Sequence, residues 1–268
     1  MEQRIKNKIE RVGVPLKDWD IQINYGIKTG FNEAFIISGE KRKELIEQDQ
    51  RSAEIIRPIL RGRDIKRYGY EFADLYLICT FPAKHIDIEQ YPAVKNHLLS
   101  FGKERLEQTG KEYLINGEKI KARKKTNNKW FETQDQIGYW NDFYRQKIVY
   151  GQFRRGEFAF DENQCMLSSN EYFICSNTEN LKLLLAFLNS KLCYFYGTTM
   201  MNNLGGATTI AQKDIFIKTP IPQKIDTDFE NQINKLLNEK SYNDIDVVVY
   251  QVYGLLKEEI NFISSSVS

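Results

Sequence analysis

The chain has 268 residues, 41% apolar and 13% aromatic, with 38 Lys+Arg against 36 Asp+Glu for a net charge of +2. That length corresponds to roughly 1.8 typical domains and can bury a sizeable core. No run approaches the ~18 consecutive apolar residues of a membrane helix, and the opening MEQRIKNKIERVG has no apolar signal segment. A cytoplasmic protein with no membrane partner is the expectation.

Residues 1–18 read as a polar helix or a linker. Trp19 to Tyr25 alternates apolar and polar residues, a strand pattern. Gly26-Ile-Lys-Thr-Gly30 is a turn in which both glycines can take positive φ. A second strand is expected over Phe31–Ile37, then a charged helix over Lys41–Arg51. Ile55–Leu60 is apolar and is followed by the cationic Arg61-Gly-Arg-Asp-Ile-Lys-Arg67. Leu75–Phe81 is a short buried-strand candidate. Pro92 sits at a helix start, with Val94, Leu98 and Phe101 at helical spacing.

A basic stretch ending at Lys129 precedes an aromatic cluster of Trp130, Phe131, Tyr139, Trp140, Phe143 and Tyr144. Lys147–Phe160 and Glu171–Cys175 look like strands. Leu181, Leu184, Leu185, Leu188, Leu192 and Phe195 form the stripe of one amphipathic helix. A small-residue loop over Leu204–Ile210 leads to Asp214–Ile217 and the extended Pro220-Ile-Pro222. Phe229–Asn238 and Ile245–Leu256 predict two last helices. Strands dominate early and helices late. The expected fold is α+β, a largely antiparallel twisted sheet with packed helices and a C-terminal helical appendage. Its expected parts are residues 1–18, 19–223 and 224–268.

Charge is unevenly spread. Residues 224–263 carry −4, which leaves +6 on residues 1–223, and Lys119–Lys129 holds six cations in eleven positions with no acid. Such an asymmetry fits a basic body facing a polyanion; a solvated surface is the plainer alternative.

Enzyme signatures are scarce. The sixteen glycines never occur as GxG, and no GxxxxGK[ST], GxSxG, HExxH or kinase set is present. No two of the six prolines are adjacent, which excludes the [ND]PP[YF] motif of amino-methyltransferases. Cys79, Cys165, Cys175 and Cys193 lack metal-ligand spacing, and His85 and His97 are the only imidazoles. One loose pattern remains. Asp49 with Asp64-Ile-Lys66 matches the D…(D/E)xK arrangement by which nucleases hold Mg²⁺ and polarise water.

Several segments in order resemble one family. Tyr25-Gly-Ile-Lys-Thr-Gly-Phe-Asn-Glu-Ala-Phe35 and Ile59-Leu-Arg-Gly-Arg-Asp-Ile65 resemble the start of TaqI-like specificity domains. Leu184–Leu192, the Gly205-Gly206 loop, Ile217–Pro222 and Ile245–Ile260 are similar to the rest of that domain. These target-recognition domains lie C-terminal to the methyltransferase in adenine-specific DNA methyltransferases and in type IIG restriction-modification enzymes. The resemblance implies an excised domain or a stand-alone subunit that reads duplex DNA. It would position an adenine for a methyltransferase, which supplies S-adenosylmethionine. A fused nuclease using Mg²⁺ is a further possibility for the parent enzyme. No cofactor, metal or catalytic residue is expected in this chain itself. A protein-interaction scaffold with no DNA role is the remaining alternative.

Candidate DNA contacts follow from that reading. Lys28 and Thr29 sit between glycines, where a backbone can approach closely and a lysine can reach a phosphate. Arg61, Arg63, Lys66 and Arg67 offer donors suited to phosphates and to guanine O6/N7. Lys121, Arg123, Lys124 and Lys125 can track the phosphate backbone. Trp130 can stack on or wedge between bases, or pack in the core. Arg154 and Arg155 lie where a strand emerges into a loop, a base-reading position.

Overall fold

A computed structural model describes residues 1–152, 156–203 and 212–267. Two four-stranded sheets organise them. The first runs in the order Phe158–Asp161, Lys147–Gly151, Glu171–Cys175, Gln22–Tyr25, every pair antiparallel. The second runs Met166–Leu167, Ile56–Leu60, Leu75–Ile78, Ile36–Ser38, with its first pair parallel and the others antiparallel. The fold is α+β with C-terminal helices, as the patterning predicts.

The strand Lys147–Gly151 explains the layering. All five of its residues are buried, so it cannot be the half-solvated strand that polar alternation would signal. Successive side chains leave on opposite faces. Val149, Ala159, Phe173 and Cys175 face a core shared with the second sheet. Ile148, Tyr150, Phe158 and Ile174 face a helical core. The first sheet is thus the middle layer.

That middle layer contains a buried ion pair. Lys147 and Asp161 stand opposite each other, both fully buried, with Nζ 2.5 Å from Oδ2. Nζ also donates to the Phe143 carbonyl at 2.7 Å. Asp161 accepts from Tyr70 Oη at 2.9 Å and from the Cys165 N–H at 2.9 Å. Satisfying both ions with hydrogen bonds is what makes such a pair tolerable away from water.

Several expected elements differ in form. Phe31–Ile37 is a helical turn, Asn32–Phe35, running into the strand Ile36–Ser38. The expected strand Lys147–Phe160 is two paired strands. Of the two turn glycines, only Gly30 has positive φ, 78°. Gly26 is required for another reason, since a Cβ there would lie 1.8 Å from the Ser168 carbonyl oxygen. A hairpin, Glu112–Ile115 paired with Glu118–Lys121 around Asn116-Gly117, leads into the basic run and carries its first two lysines. Both turn residues take positive φ, which is what a two-residue hairpin loop demands.

The apolar stripe from Leu181 to Phe195 belongs to two helices, Leu181–Leu188 and Lys191–Asn203. Asn189 breaks it by pairing with a strand: its Oδ1 accepts from the Phe158 N–H and its Nδ2 donates to the Phe158 carbonyl, at 3.0 and 2.8 Å. Asp246 then accepts the Lys191 N–H at 2.7 Å and caps the second helix from a distant part of the chain.

The two ends of the chain are integral to the helical core. Glu2–Val12 is an amphipathic helix that buries Ile5 and Ile9 in that core. Three helices, Thr227–Asn238, Tyr242–Val252 and Lys257–Ser266, replace the two expected at the end. Ile233, Ile245, Val249 and Ile263 join the same cluster. Opposite charges stitch the ends together, with Lys8 Nζ 2.7 Å from Glu259 and Arg4 Nη1 2.8 Å from Glu258. Among the described residues no helix is long and apolar enough to cross a membrane.

Replacing Asp161 with Ala should cost about 3–5 kcal/mol by stranding a buried ammonium. The double variant Lys147→Met/Asp161→Leu should recover most of that loss. Denaturant unfolding of the three proteins measures both; equal destabilisation of single and double variants would mean the pair itself is the stabilising unit.

Candidate nucleic-acid interface

Four loops meet at one end of the sheets. Gly26–Gly30 leaves the strand Gln22–Tyr25; Arg61–Asp64 leaves Ile56–Leu60; Gln152 follows Lys147–Gly151; and Ser168–Asn170 joins Met166–Leu167 to Glu171–Cys175. Backbone hydrogen bonds lock them edge to edge. The Gly26 N–H donates to the Glu171 carbonyl at 2.7 Å, Ile27 N–H to Leu167 at 2.8 Å, Ser168 N–H to Leu60 at 3.0 Å and Gln152 N–H to Asn170 at 3.0 Å.

The basic segment is fastened to this end by Arg123. Its side chain is 4% exposed. Nε donates to the Leu106 carbonyl, Nη1 to those of Thr29 and Glu132, and Nη2 to that of Trp130, all at 2.7–2.8 Å. Burial pulls the guanidinium down to about 10, with Glu132 acting weakly in the opposite sense. Arg123 is therefore a clamp between the glycine turn and the segment 119–132, and cannot serve as a phosphate contact.

Several other expected contacts are likewise engaged inside the protein. Thr29 is buried; its hydroxyl donates to Asn32 Oδ1 at 2.6 Å and accepts from the Phe31 N–H at 3.1 Å. Arg67 donates to the Asn189 carbonyl at 2.9 Å and to Asp246 at 3.3 Å, with its guanidinium over Tyr68. It tethers the C-terminal helices to the body. Arg61 grips Asp64 with Nε and Nη2, at 3.0 and 2.8 Å, while the Arg61 N–H donates to the same carboxylate. That pair raises the arginine and holds Asp64 below the usual carboxylate value despite burial. Lys66 Nζ donates to the Arg63 carbonyl at 2.9 Å. Trp130 is half-buried, edge-on to Phe131 and packed on the first core.

The nuclease pattern does not assemble. Asp64 is neutralised by Arg61, Lys66 is turned to a backbone carbonyl, and Asp49 lies 3.5 Å from Arg51. Carboxylates engaged in this way do not fit a Mg²⁺ site, and no metal-binding group of three or more His, Cys, Asp or Glu exists among the described residues.

What remains at the surface is a smaller set. Lys28, Arg63, Lys121, Lys124 and Lys125 are exposed, and among the described residues no carboxylate pairs with any of them. Arg154 and Arg155 lie outside the described residues. The sequence reading overlooked Gln152 and Asn170, polar residues that flank the same strand ends. It also overlooked Tyr25, whose ring is 49% exposed beside Tyr139. A strand pattern terminating in Gln or Asn was the available signal.

The tightly bonded cluster of loops at one sheet end bears two exposed cations, Lys28 and Arg63, that no carboxylate pairs with among the described residues. Comparison with known proteins identifies the family of this fold. A family model for the TaqI-like C-terminal specificity domain matches residues 57–221, more than half of the chain. The chain belongs to that family. Among curated proteins it is 22% identical over 275 aligned positions to the Type II methyltransferase M.BstVI of Geobacillus stearothermophilus, covering 98% of this chain and 44% of that protein. It is 23% identical over 254 positions to the Type II methyltransferase M.MjaIV of Methanocaldococcus jannaschii, covering 90% of this chain and 79% of that one. The chain thus spans less than half of the first relative.

Two solved structures share the fold. The type IIG restriction endonuclease BpuSI superposes with a TM-score of 0.59 at 16% identity, over 99% of this chain and 31% of that one. The Type IIL restriction-modification enzyme MmeI, solved in complex with DNA, gives 0.51 at 12% identity, over 94% and 36%.

Arg123→Ala should destabilise the fold by about 2–4 kcal/mol through the loss of charge-assisted hydrogen bonds and the carbonyls left unpaired. It should also expose Lys119–Lys129 to limited trypsin digestion at protein concentrations where the unmodified chain resists. Unchanged stability and digestion would show that the clamp is dispensable.

Proposed function

We propose that this chain is the sequence-specific duplex-DNA recognition module of a restriction-modification enzyme. The carrying observation is the pair of exposed cations Lys28 and Arg63 on loops that interlock at one end of the sheets, with Lys124 and Lys125 on the segment that Arg123 ties to the glycine turn, in a specificity-domain fold. Cations whose charge is not neutralised internally are the ones free to replace the counterions of DNA. Lys124 and Lys125 would anchor on phosphates, while the neighbouring strand ends lie against base edges.

The adenine-specific methyltransferase would be a separate or upstream part, in keeping with the relatives being Type II methyltransferases. S-adenosylmethionine would be bound there, and Mg²⁺ in any nuclease part of the parent. The role of this chain is to hold the duplex so that one adenine can be turned out of the stack toward that partner. Extrusion costs unstacking energy, so the recognising surface has to grip the flanking duplex rigidly. A loop cluster joined by backbone hydrogen bonds meets that demand.

The test is a salt-dependent titration of the purified chain against random duplexes, with the retained DNA sequenced. Enrichment of one short motif and a steep fall of affinity with salt are expected. Lys124→Ala and Lys125→Ala should each make the log–log salt slope shallower by about 0.9 while leaving the motif intact. The chain alone should neither methylate nor cleave DNA. Binding that ignores salt and survives Arg63→Ala would instead mark an interaction scaffold.

A further inference from the structure

The end of the sheets contains a cleft between the turn after Ile56–Leu60 and the paired ends of Lys147–Gly151 and Glu171–Cys175. Arg61, Arg63, Gln152, Asn170 and Glu171 contribute to its walls. These five side chains divide cleanly by hydrogen bonding. Arg61 is held by Asp64. Glu171 is 5% exposed, bonded to the Ser168 hydroxyl and to the N–H groups of Gly62 and Asn170. Burial raises its carboxyl above the ordinary value against those hydrogen bonds. Arg63, Gln152 and Asn170 remain, and among the described residues no side-chain hydrogen bond engages any of the three.

Their backbones, in contrast, are held firmly. The Arg63 carbonyl accepts from Lys66 Nζ at 2.9 Å, and the residues on both sides of it are locked by the Arg61–Asp64 pair. Gln152 N–H donates to the Asn170 carbonyl across the strand ends. Gly62 allows the turn to lie against Glu171, because a Cβ there would come 2.6 Å from Glu171 Oε1. The cleft thus presents three unengaged polar side chains on a fixed frame. Preorganisation of this kind is what selective hydrogen bonding requires.

We propose that Arg63, Gln152 and Asn170 are the base-reading set of this chain and that they read purine edges in the major groove. The inference rests on the DNA-recognition reading above and adds to it a chemistry for the target. Arginine is a two-pronged donor that matches guanine O6 and N7; glutamine and asparagine each offer one donor and one acceptor, matching adenine N6 and N7. The acceptor-only carboxylate that pairs best with the cytosine N4 amine is not offered by the cleft. The one carboxylate wall residue, Glu171, is buried and already hydrogen-bonded. The set is therefore suited to guanine and adenine.

The experiment compares motif selection from random duplexes by the unmodified chain, by Arg63→Ala, Gln152→Ala and Asn170→Ala, and by the double variant Lys124→Ala/Lys125→Ala. Circular dichroism confirms that each is folded. Arg63→Ala should relax one guanine position, and Gln152→Ala or Asn170→Ala one adenine position, by about ten- to a hundredfold in discrimination. Binding to non-specific duplex at low salt should persist in all three. The lysine double variant should weaken binding to every duplex alike and keep the motif. A motif unchanged in all three cleft variants, or relaxed only at pyrimidines of the contacted strand, would overturn the assignment while leaving the DNA-recognition reading intact. Binding of the unmodified chain without any enrichment overturns the assignment as well. No binding at low salt would overturn the recognition reading itself.

Discussion

The structure depends on one strand that water does not reach. Lys147–Gly151 is buried on both faces and paired on both edges, so it fixes the distance between two cores that would otherwise be separate. Its first residue is a lysine, and only the opposed Asp161, together with the Phe143 carbonyl, makes that position tolerable. Aliphatic residues of similar volume would serve stability as well or better. The ion pair does depend on register. A slip of one residue would separate Lys147 from Asp161 and would also send Val149 into the wrong core. Gly151 and Glu171, paired at the other end, are held in register by the same ladder. The cleft walls descend directly from that register.

Charge behaves differently here from what its linear density implies. Lys119–Lys129 and Arg61–Arg67 are the most cationic stretches, yet their arginines largely work inward. Arg123 closes on four carbonyls, Arg61 on Asp64, and Arg67 on Asp246 and Asn189. A guanidinium has five donors in a planar fork, so it can satisfy several loop carbonyls that no helix or sheet ladder reaches. Lysine, with a compact and strongly hydrated head, is the residue left outside. Lys28, Lys121, Lys124 and Lys125 follow that division, and Arg63 is the exception. The acidic tail has a matching role. Asp246, Glu258 and Glu259 pair with Arg67, Arg4 and Lys8, which binds the tail to the body and to the N-terminal helix.

Much of this fold was legible in the sequence, and the failures share a cause. Pro92 opens a helix as its position predicts, and Glu171–Cys175 is the strand its pattern announces. Local periodicity decided those cases. The stripe from Leu181 to Phe195 misled because both helices are apolar on the same phase, and the break at Asn189 is made by Phe158, thirty-one residues earlier. The Asn116-Gly117 turn is legible from turn chemistry alone, but its second strand carries Lys119 and Lys121, whose charge masks the strand pattern. For the site, residue type identified the candidates, and only three-dimensional pairing could sort them. Thr29 and Arg123 are buried by partners in other loops, while Gln152 and Asn170 become interesting only once strand ends converge.

That sorting bears on how a recognition domain can be both stable and adaptable in what it reads. The groups that hold the loop end together, Arg123, Arg61–Asp64 and Glu171, are buried or paired, and changing any of them strands a partner. The side chains proposed to meet DNA, those of Arg63, Gln152 and Asn170, make no side-chain hydrogen bond among the described residues, so their replacement leaves no protein atom unsatisfied. Substitutions at the second group are therefore nearly neutral for folding, whereas those at the first are not. Exchanging these outward side chains leaves the frame unchanged, because the frame uses the backbones of these three residues and the side chains of others.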